Sequence, residues 1–180
     1  MRVFFAIELE EEIKDYLFSM QQKLRKICNG GNFTHKDNFH LTLRFMGEQS
    51  EEQLLSLKNA LTAAASEAQS FELRLWGLGA FNKGSKKIIW TGLEKSKELQ
   101  GLYQSLETAL EQEGYPREER SYSPHITLAR ETRLESGFLE TGIIPVERLS
   151  VRVASISLME SARVNNRLCY QAVHKEAFRF

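Results

Sequence analysis

The chain has 180 residues, of which 42% are hydrophobic and 27% charged, and its 24 basic side chains balance its 24 acidic ones. This length and composition are typical of a soluble globular protein with room for a proper core. Proteins that hold nucleic acid through bulk electrostatics are usually strongly basic, so the balanced charge excludes an extended contact with many phosphates. The apolar run at the N-terminus is too short for a signal peptide or a membrane span, and we expect a cytoplasmic protein without membrane contact.

Hydrophobic periodicity predicts an α+β protein with mostly antiparallel strand pairing. Alternating residues predict strands, and apolar residues three and four positions apart predict helices with one buried face. A capping-box signature at Ser50 and Gln53 marks the start of the second helix. The predicted strands cover 3–9, 39–46, 71–76, 88–93, 123–130, 149–159 and 168–174, the helices cover 13–27, 54–68 and 96–113, and loops cover 32–38, 77–85 and 132–145.

Two near copies of one tetrapeptide lie in the predicted strands. The first is His-Leu-Thr-Leu at 40–43 and the second is His-Ile-Thr-Leu at 125–128, and together they contain two of the four histidines. Because side chains i and i+2 of a strand point the same way, each copy places an imidazole and a hydroxyl on one face and its aliphatic residues in the core. The order strand, helix, His-x-Thr strand at 3–46 recurs at 88–130. This echo predicts two similar lobes, related by a pseudo-twofold axis, that share one cleft.

Two imidazoles facing one cleft suit acid–base chemistry at a phosphate. Histidine titrates near neutrality, so His40 and His125 can supply a base that deprotonates the nucleophile and an acid that protonates the leaving oxygen. The hydroxyls of Thr42 and Thr127 can donate to the non-bridging oxygens, where negative charge accumulates. This chemistry requires no metal. A zinc site on the two histidines lacks a third ligand, and a single copy of so short a motif would ordinarily carry no function.

Two arginines and several aromatic residues are further candidates for substrate binding in the cleft. Strand alternation places Arg44 on the face of His40 and turns Arg130 away from the cleft unless the strand bends. Spacing alone therefore favours Arg44 as a phosphate ligand, against the alternative that either arginine is a solvated surface charge. Several aromatic residues could stack on a base, although aromatic residues on strands are more often part of the core. These are Phe5, Trp76, Trp90 and Tyr122.

The remaining histidines and the two cysteines have no predicted task. His35 lies in a polar loop and His174 near the C-terminus, which are positions typical of ordinary surface histidines. Cys28 and Cys169 are far apart and lack the spacing of metal ligands, so we expect reduced thiols rather than a zinc site.

The motifs closely resemble those of a known superfamily. The paired His-x-Thr-x signatures of the 2H phosphoesterases match His40-Leu41-Thr42-Leu43 and Ser123-Pro124-His125-Ile126-Thr127-Leu128-Ala129-Arg130. Within that superfamily the chain is similar to the bacterial and archaeal RNA 2',3'-cyclic phosphodiesterases, also called 2'-5' RNA ligases. The resemblance extends over essentially the whole chain and includes Val3-Phe4-Phe5-Ala6-Ile7, Phe45-Met46-Gly47 and Leu158-Met159-Glu160-Ser161.

The resemblance implies a bilobal α+β fold in which residues 1–180 form a single domain. Two pseudo-symmetric lobes of mostly antiparallel sheet would carry helices on the outside and the active cleft between the sheets. The implied reaction is metal-independent hydrolysis of a 2',3'-cyclic phosphate at an RNA end, without a cofactor, leaving a 2'-phosphate. By the family's assignment His40 would be the proton donor and His125 the proton acceptor.

The resemblance also implies the substrate-binding residues. Thr42 and Thr127 would clamp the phosphate, Arg130 rather than Arg44 would hold it, and Phe5 would stack on the terminal base. The expected partner is an RNA or oligonucleotide with a 2',3'-cyclic phosphate end, and the expected state is a monomer. Two alternatives remain open. One is a 2'-5' RNA ligase acting on tRNA halves, with a 5'-hydroxyl in place of water, and the other is a non-catalytic nucleotide-binding module.

Overall fold

The computed structural model describes residues 1–135, 137, 139–142 and 144–180, which form nine strands, three α-helices and two short 3-10 turns. The helices are α1 (Glu11–Arg25), α2 (Glu51–Ser66) and α3 (Lys97–Gln112), and the 3-10 turns cover Lys36–Asn38 and Leu139–Thr141. The strands are β1 (Arg2–Glu8), β2 (Asn32–Phe33), β3 (His40–Glu48), β4 (Phe71–Lys83), β5 (Lys86–Leu93), β6 (Ile126–Thr132), β7 (Ser150–Val153), β8 (Ser155–Val164) and β9 (Arg167–Ala177).

The strands form two antiparallel sheets. The strand order is β3-β1-β8-β9 in the first sheet and β2-β6-β5-β4-β7 in the second. The two His-x-Thr stretches therefore belong to different sheets, and each motif strand pairs with the strand that opens its half of the echo, β3 with β1 and β6 with β5. The predicted α+β architecture with antiparallel pairing is confirmed.

Two predictions of strand boundaries are wrong, and each has a local cause. The segment predicted as a loop over 77–85 is mostly strand. Gly77, at φ 66°, forms a bulge in the pairing of β4 with β5, and β4 continues beyond it. The single strand predicted over 149–159 is two strands, β7 and β8, which separate at Ala154 and enter different sheets.

The other predicted helices and strands agree with the structure to within a few residues at each end. The predicted capping box is present at the start of α2, where Gln53 N donates to Ser50 Oγ at 3.2 Å and Ser50 N donates to Gln53 Oε1 at 2.8 Å. The predicted loop over 32–38 contains β2 and the first 3-10 turn. Of the predicted loop over 132–145, residues 136, 138 and 143 lie outside the described residues.

One contiguous core joins both sheets to all three described α-helices. Helix α1 follows β1 but contacts the second sheet and the segment before β7, where Tyr16 Oη accepts a hydrogen bond from Glu147 N at 2.7 Å. Helix α3 follows β5 but contacts the first sheet through an ion pair between Glu107 and Arg44. Helix α2 packs on β8 and β9. The two halves of the echo therefore interlock, because each contributes a helix to the sheet of the other.

Cys28 and Cys169 are both free thiols, as expected. Burial raises the pKa of the Cys28 thiol, which keeps it protonated at neutral pH. No helix among the described residues combines the length and the hydrophobicity needed to cross a membrane.

Candidate active site

His40 is the first residue of β3 and follows the 3-10 turn directly. Its Nδ1 lies 2.7 Å from the carbonyl oxygen of Asn38, and its Nε2 lies 2.8 Å from Thr42 Oγ1. A carbonyl oxygen only accepts hydrogen bonds, so Nδ1 carries the proton and the neutral ring presents the Nε2 lone pair. The hydroxyl of Thr42 then donates to that nitrogen, as the period-2 geometry of the motif predicts.

Asn38 fixes the carbonyl that orients His40. Its side chain is buried, with 7% exposure, and both ends of the amide bind the backbone of β9. Nδ2 donates to the Leu168 carbonyl at 2.8 Å, and Oδ1 accepts from Tyr170 N at 3.3 Å. The orientation of the first imidazole therefore depends on β9, a strand at the far end of the sequence.

His125 repeats the same local geometry immediately before β6. Its Nδ1 donates to the carbonyl oxygen of Ser123 at 2.7 Å, again two residues upstream of the histidine. The second ring thus has the same tautomer as the first and also presents Nε2. The echo between the halves extends from the tetrapeptide to the hydrogen bond that sets each tautomer.

Aromatic rings pack against both imidazoles. The His40 ring lies 4.8 Å from the ring of Phe4 and 5.0 Å from that of Tyr170, measured between centroids. The His125 ring lies 4.9 Å from that of Phe81 and 6.2 Å from that of Trp90. These walls remove water from around the imidazoles and hold each ring in place.

The Trp90 ring occupies space that two glycines leave open. A Cβ atom at Gly79 would overlap the indole, and one at Gly92 would come within 2.7 Å of the Trp76 carbonyl oxygen and 3.3 Å of the Trp90 ring. The glycines of β4 and β5 thus allow the indole to lie across the sheet beside His125.

Burial lowers the pKa values of both imidazoles. The pKa of His40 falls to about 4, chiefly because burial disfavours the imidazolium, with the positive charges of Arg130 and of a protonated His125 acting in the same direction. The hydrogen bond to Asn38 opposes this shift. The pKa of His125 is lowered by burial and by Arg130, against its own bond to Ser123. Both rings are therefore neutral at pH 7 in the free protein, and Arg130 influences both.

A β-bulge follows each His-x-Thr pair at the same position. On β3, Thr42 pairs with Ala6 while Arg44 pairs with Phe5, so two steps along β3 oppose one step along β1. The extra residue is Leu43, and beyond it the alternation of faces is reversed.

The second motif strand has the matching bulge. Thr127 pairs with Trp90 and Ala129 pairs with Ile89, so the extra residue on β6 is Leu128. Leu128 and Ala129 are both fully buried, and Arg130 consequently returns to the cleft face.

The bulges place the two candidate arginines on different faces of their sheets. Arg44 lies on the core side, where it pairs with the buried carboxylate of Glu107, donates to the Pro116 carbonyl at 3.0 Å and lies 3.9 Å from Glu118. The preference for Arg44 that alternation suggested is therefore wrong. Arg130 is exposed, and its charge reaches His40, His125 and Tyr170.

Phe5 does not line the cleft, which corrects the prediction that it stacks on a base. Its side chain is 0% exposed and belongs to the main core, on the same face of β1 as Val3 and Ile7. The residue beside His40 is Phe4, on the opposite face of β1. The alternation of β1 contained this signal, because Phe5 shares its face with the aliphatic residues of the strand.

Tyr122 supports the site from behind. Its hydroxyl donates to the Thr42 carbonyl at 2.9 Å, and its ring stacks on Tyr103 with centroids 4.3 Å apart. Burial raises the pKa of the phenol, so it remains a donor at any physiological pH. Tyr122 is thus a link between the segment before the second motif and the strand of the first.

The sequence did not point to Phe4, Phe81, Tyr170 or Asn38 as parts of the site. Phe81 falls in the segment predicted as a loop, and the positions of Tyr170 and Asn38 depend on the pairing of β9 with β8 and on contacts with the 3-10 turn. Such long-range pairing leaves no local pattern in the sequence.

The other two histidines lie outside the cleft, as predicted. His35 Nδ1 accepts from Asp37 N at 3.2 Å and its Nε2 lies 3.1 Å from Arg167 Nη1, while His174 Nε2 lies 2.8 Å from Glu176 Oε1. Among the residues that the structure describes, no three or more His, Cys, Asp or Glu side chains form a group suited to a metal ion.

Two neutral imidazoles of fixed tautomer, each with a hydroxyl two residues away and with one guanidinium acting on both, can carry out acid–base chemistry at a phosphate. Residues 18–165 match the sequence profile of the 2'-5' RNA ligase superfamily. A protein of Methanothermobacter thermautotrophicus named RNA 2',3'-cyclic phosphodiesterase is 30% identical over 166 residues, which cover 89% of this chain and 90% of that protein.

Solved structures show the same architecture. The crystal structure of TT0787 of Thermus thermophilus is similar with a TM-score of 0.84 at 26% identity, covering 99% of this chain and 98% of that one. The structure of E. coli LigT complexed with 3'-AMP is similar with a TM-score of 0.76 at 26% identity, covering 99% and 98% of the two chains. The chain belongs to the 2'-5' RNA ligase superfamily of 2H phosphoesterases and is an enzyme of the phosphodiesterase class.

Proposed function

We propose that the protein hydrolyses the 2',3'-cyclic phosphate at an RNA end to a 2'-phosphomonoester without a metal ion. The observation that carries this proposal is the matched pair of imidazoles, each held with its proton on Nδ1 by the carbonyl two residues upstream. The name of the Methanothermobacter relative supports the substrate class. The complex of LigT with 3'-AMP supports binding of a nucleoside monophosphate by this fold.

In the proposed reaction a water oxygen attacks phosphorus. The Nε2 lone pair of His125 takes the proton of the water as the new P–O bond forms. The bond between phosphorus and the 3' oxygen breaks, its electron pair stays on that oxygen, and His40 gives it a proton from Nε2. These roles follow the family's assignment, with His40 as donor and His125 as acceptor.

The hydroxyls and Arg130 stabilise the charge on the non-bridging oxygens. The hydroxyl of Thr42 donates to His40 Nε2 while that ring is neutral. Once Nε2 carries a proton it no longer accepts, and the Thr42 hydroxyl is released to bind phosphate. Protonation of the acid and preparation of the phosphate site are coupled in this way.

The free site lacks the imidazolium that the reaction needs, and binding of the substrate favours its formation. Burial and Arg130 keep both imidazoles neutral at pH 7, whereas the reaction needs one imidazolium. A bound cyclic phosphate brings a negative charge that opposes the effect of Arg130 and favours the imidazolium. The acid is therefore formed when the substrate binds.

Product analysis on a short RNA with a 2',3'-cyclic end and a 5'-hydroxyl tests the proposal. Hydrolysis yields a 2'-phosphate end with full activity in EDTA. Loss of activity on chelation would contradict the metal-free mechanism, a predominantly 2'-5'-joined product would favour the ligase, and binding without turnover would favour a non-catalytic module.

The same assay on variants tests the two histidines. His40→Ala and His125→Ala each lose roughly 10²–10⁴-fold in kcat, the usual contribution of one proton transfer. His174→Ala, on the surface, serves as the matched control and keeps full activity. Retained far-UV circular dichroism shows that the inactive variants are folded.

A further inference from the structure

An open groove of about 840 Å³ lies beside the catalytic cleft, a size within the range of small-molecule sites. It is bounded by β4 and β5, by the start of α3 and by the segment before the second motif. Its walls are largely aromatic and apolar, and include Trp76, Trp90, Leu93, Tyr122 and Pro124.

The groove adjoins the site of His125. Trp90 forms part of the groove and also packs against the imidazole of His125. Ser123, another wall residue, supplies the carbonyl that holds His125 Nδ1. A molecule that reacts beside His125 can therefore extend into the groove without leaving the protein surface.

Trp76 offers a fixed flat surface in the groove. Its side chain is 51% exposed, which is unusual for so large an apolar group. The guanidinium of Arg148 lies 4.1 Å from the centroid of the indole and also pairs with Glu94 at 3.6 Å. The guanidinium thus lies over one face of the indole, and a base can stack on the opposite face.

The charges at the rim suit an anion. Lys95 and Lys97 line the groove and are exposed. Among the described lining residues Glu94 is the acidic one, and its carboxylate is paired with Arg148. An aromatic platform next to free ammonium groups is the combination that binds a nucleobase together with its phosphate.

We propose that this groove binds a second nucleoside of the RNA, the one joined on the 5' side of the reacting nucleotide. Its base stacks on Trp76, and Lys95 and Lys97 lie near the phosphate that links the two nucleosides. The proposal rests on the proposed function, because it extends the substrate of the same cleft by one nucleotide. The enzyme then recognises the end of an oligonucleotide in preference to a free cyclic nucleotide.

The test compares kcat/KM for a mononucleoside 2',3'-cyclic phosphate with that for a dinucleotide ending in the same group. One stacked base contributes ~1–3 kcal/mol, so the dinucleotide is preferred by roughly 5–150-fold. Trp76→Ala abolishes most of this ratio, and Trp76→Phe retains part of it. Phe18→Ala removes another exposed ring, on α1, and leaves the ratio unchanged. A wild-type ratio near one, or a ratio unaffected by Trp76→Ala, would overturn the proposal.

A binding measurement separates this proposal from the proposed function. If neither substrate is hydrolysed, the proposed function fails. Quenching of tryptophan fluorescence by a dinucleotide with a 2'-phosphate end still tests whether the groove binds the second nucleoside. A lower dissociation constant for the dinucleotide than for the mononucleotide, raised to the mononucleotide's value in Trp76→Ala with Trp90 as the remaining reporter, supports it. Equal dissociation constants for both contradict it. Quenching by a free 5'-hydroxyl nucleoside instead would assign the groove to a joining strand and also contradict it.

Discussion

At each imidazole a backbone carbonyl two residues upstream determines which ring nitrogen carries the proton. His40 Nδ1 donates to Asn38 O and His125 Nδ1 donates to Ser123 O, both at 2.7 Å. Nε2 is the unprotonated nitrogen in both rings, and the carbonyl sets this tautomer without a buried carboxylate. A carboxylate partner would raise the pKa of its imidazole, whereas a neutral carbonyl orients the ring and leaves the effect of burial dominant.

The lowered pKa of His40 makes stability depend on pH. The pKa is about 4 in the native state against about 6.5 in the unfolded chain, so the unfolded state binds more protons between these values. The contribution is present above pH 6.5 and is lost as the pH falls toward 4. On going from pH 7 to pH 5 the wild type should lose about 2 kcal/mol more unfolding free energy than His40→Gln. Urea unfolding at both pH values measures this, and equal losses in the two proteins would refute it.

Arg130 affects both imidazoles, and its removal has a direct spectroscopic consequence. In Arg130→Gln the pKa values of His40 and His125 both rise, because a positive charge that disfavours the imidazolium is lost. NMR titration of the ring nitrogens measures the two values. In the proposed reaction Arg130 donates to the phosphate, and loss of such a charged donor costs about 1.5–3 kcal/mol, or roughly 10–150-fold in kcat/KM.

The exposed Arg133 gives a matched control for that experiment. Arg133→Gln removes the same charge three residues further along the chain, and both imidazole pKa values should stay at their wild-type positions. A role of Arg130 limited to folding would lower activity without moving the titrations of His40 and His125.

Strand alternation explains what the sequence could predict of the site and what it could not. Within each tetrapeptide the period of two holds, and the placing of His40 next to Thr42 follows from it. Beyond the bulges at Leu43 and Leu128 the period fails, so the same rule pointed to Arg44 where only the family resemblance pointed to Arg130. A bulge is set by the pairing with a neighbouring strand, and the sequence of one strand does not contain that partner.

The same limit applies to β4 and β9. Gly77 looks like the end of a strand in the sequence, but in the sheet it is a bulge within a long hairpin, and Phe81 is carried to His125 beyond it. The helices were predicted well because their periodicity is a property of one continuous segment and their capping signals are local.

The β4–β5 hairpin positions Trp90, and Gly79 is the residue that makes room for it. Gly79→Ala places a Cβ in the space of the indole, which must move away from its position beside His125. We expect a loss of about 1–3 kcal/mol of unfolding free energy, as for other overpacked sites, together with a changed near-UV circular dichroism spectrum and a reduced kcat.

Gly101 in α3 is the control, since nothing lies within 4 Å of a Cβ there. Gly101→Ala should stabilise the protein by about 0.5–1 kcal/mol through helix propensity. An indole spectrum and activity of Gly79→Ala equal to the wild type would show that Trp90 does not depend on this close approach.

Across the whole molecule, each motif strand is supported by a helix from the other half. Gln21 of α1 donates to the Leu128 carbonyl of β6 at 2.8 Å and to the Thr34 carbonyl at 2.7 Å. Glu107 of α3 pairs with Arg44 of β3 and accepts from Glu118 N at 2.8 Å. Both side chains are buried, both stand ten residues after the start of their helix, and both act next to a bulge. The pseudo-symmetry thus includes the buried polar contacts that hold the two motif strands.

This interlocking predicts that the two lobes unfold together. Both tryptophans belong to the β4–β5 hairpin of the second sheet, so their fluorescence reports that lobe, whereas far-UV circular dichroism reports the whole chain. The two urea transitions should coincide, which is the behaviour of a single domain. Separate transitions would show that the lobes are independent and would contradict the single-domain expectation.

Gln21→Leu tests the contact between α1 and the second motif strand. It removes two buried hydrogen bonds and leaves the Thr34 carbonyl without its side-chain donor, while the Leu128 carbonyl still accepts from the backbone N of Thr34 at 3.0 Å. The expected cost is about 1–3 kcal/mol of unfolding free energy. Because α1 belongs to the first half and contacts the second, this loss should move the fluorescence and circular dichroism transitions by the same amount.

Gln22→Leu is the control. It makes the same change at the next residue, which is less buried, and should cost little. A shift confined to the fluorescence transition would mean that α1 stabilises the second sheet alone. It would contradict the prediction that interlocking of the two halves makes unfolding cooperative.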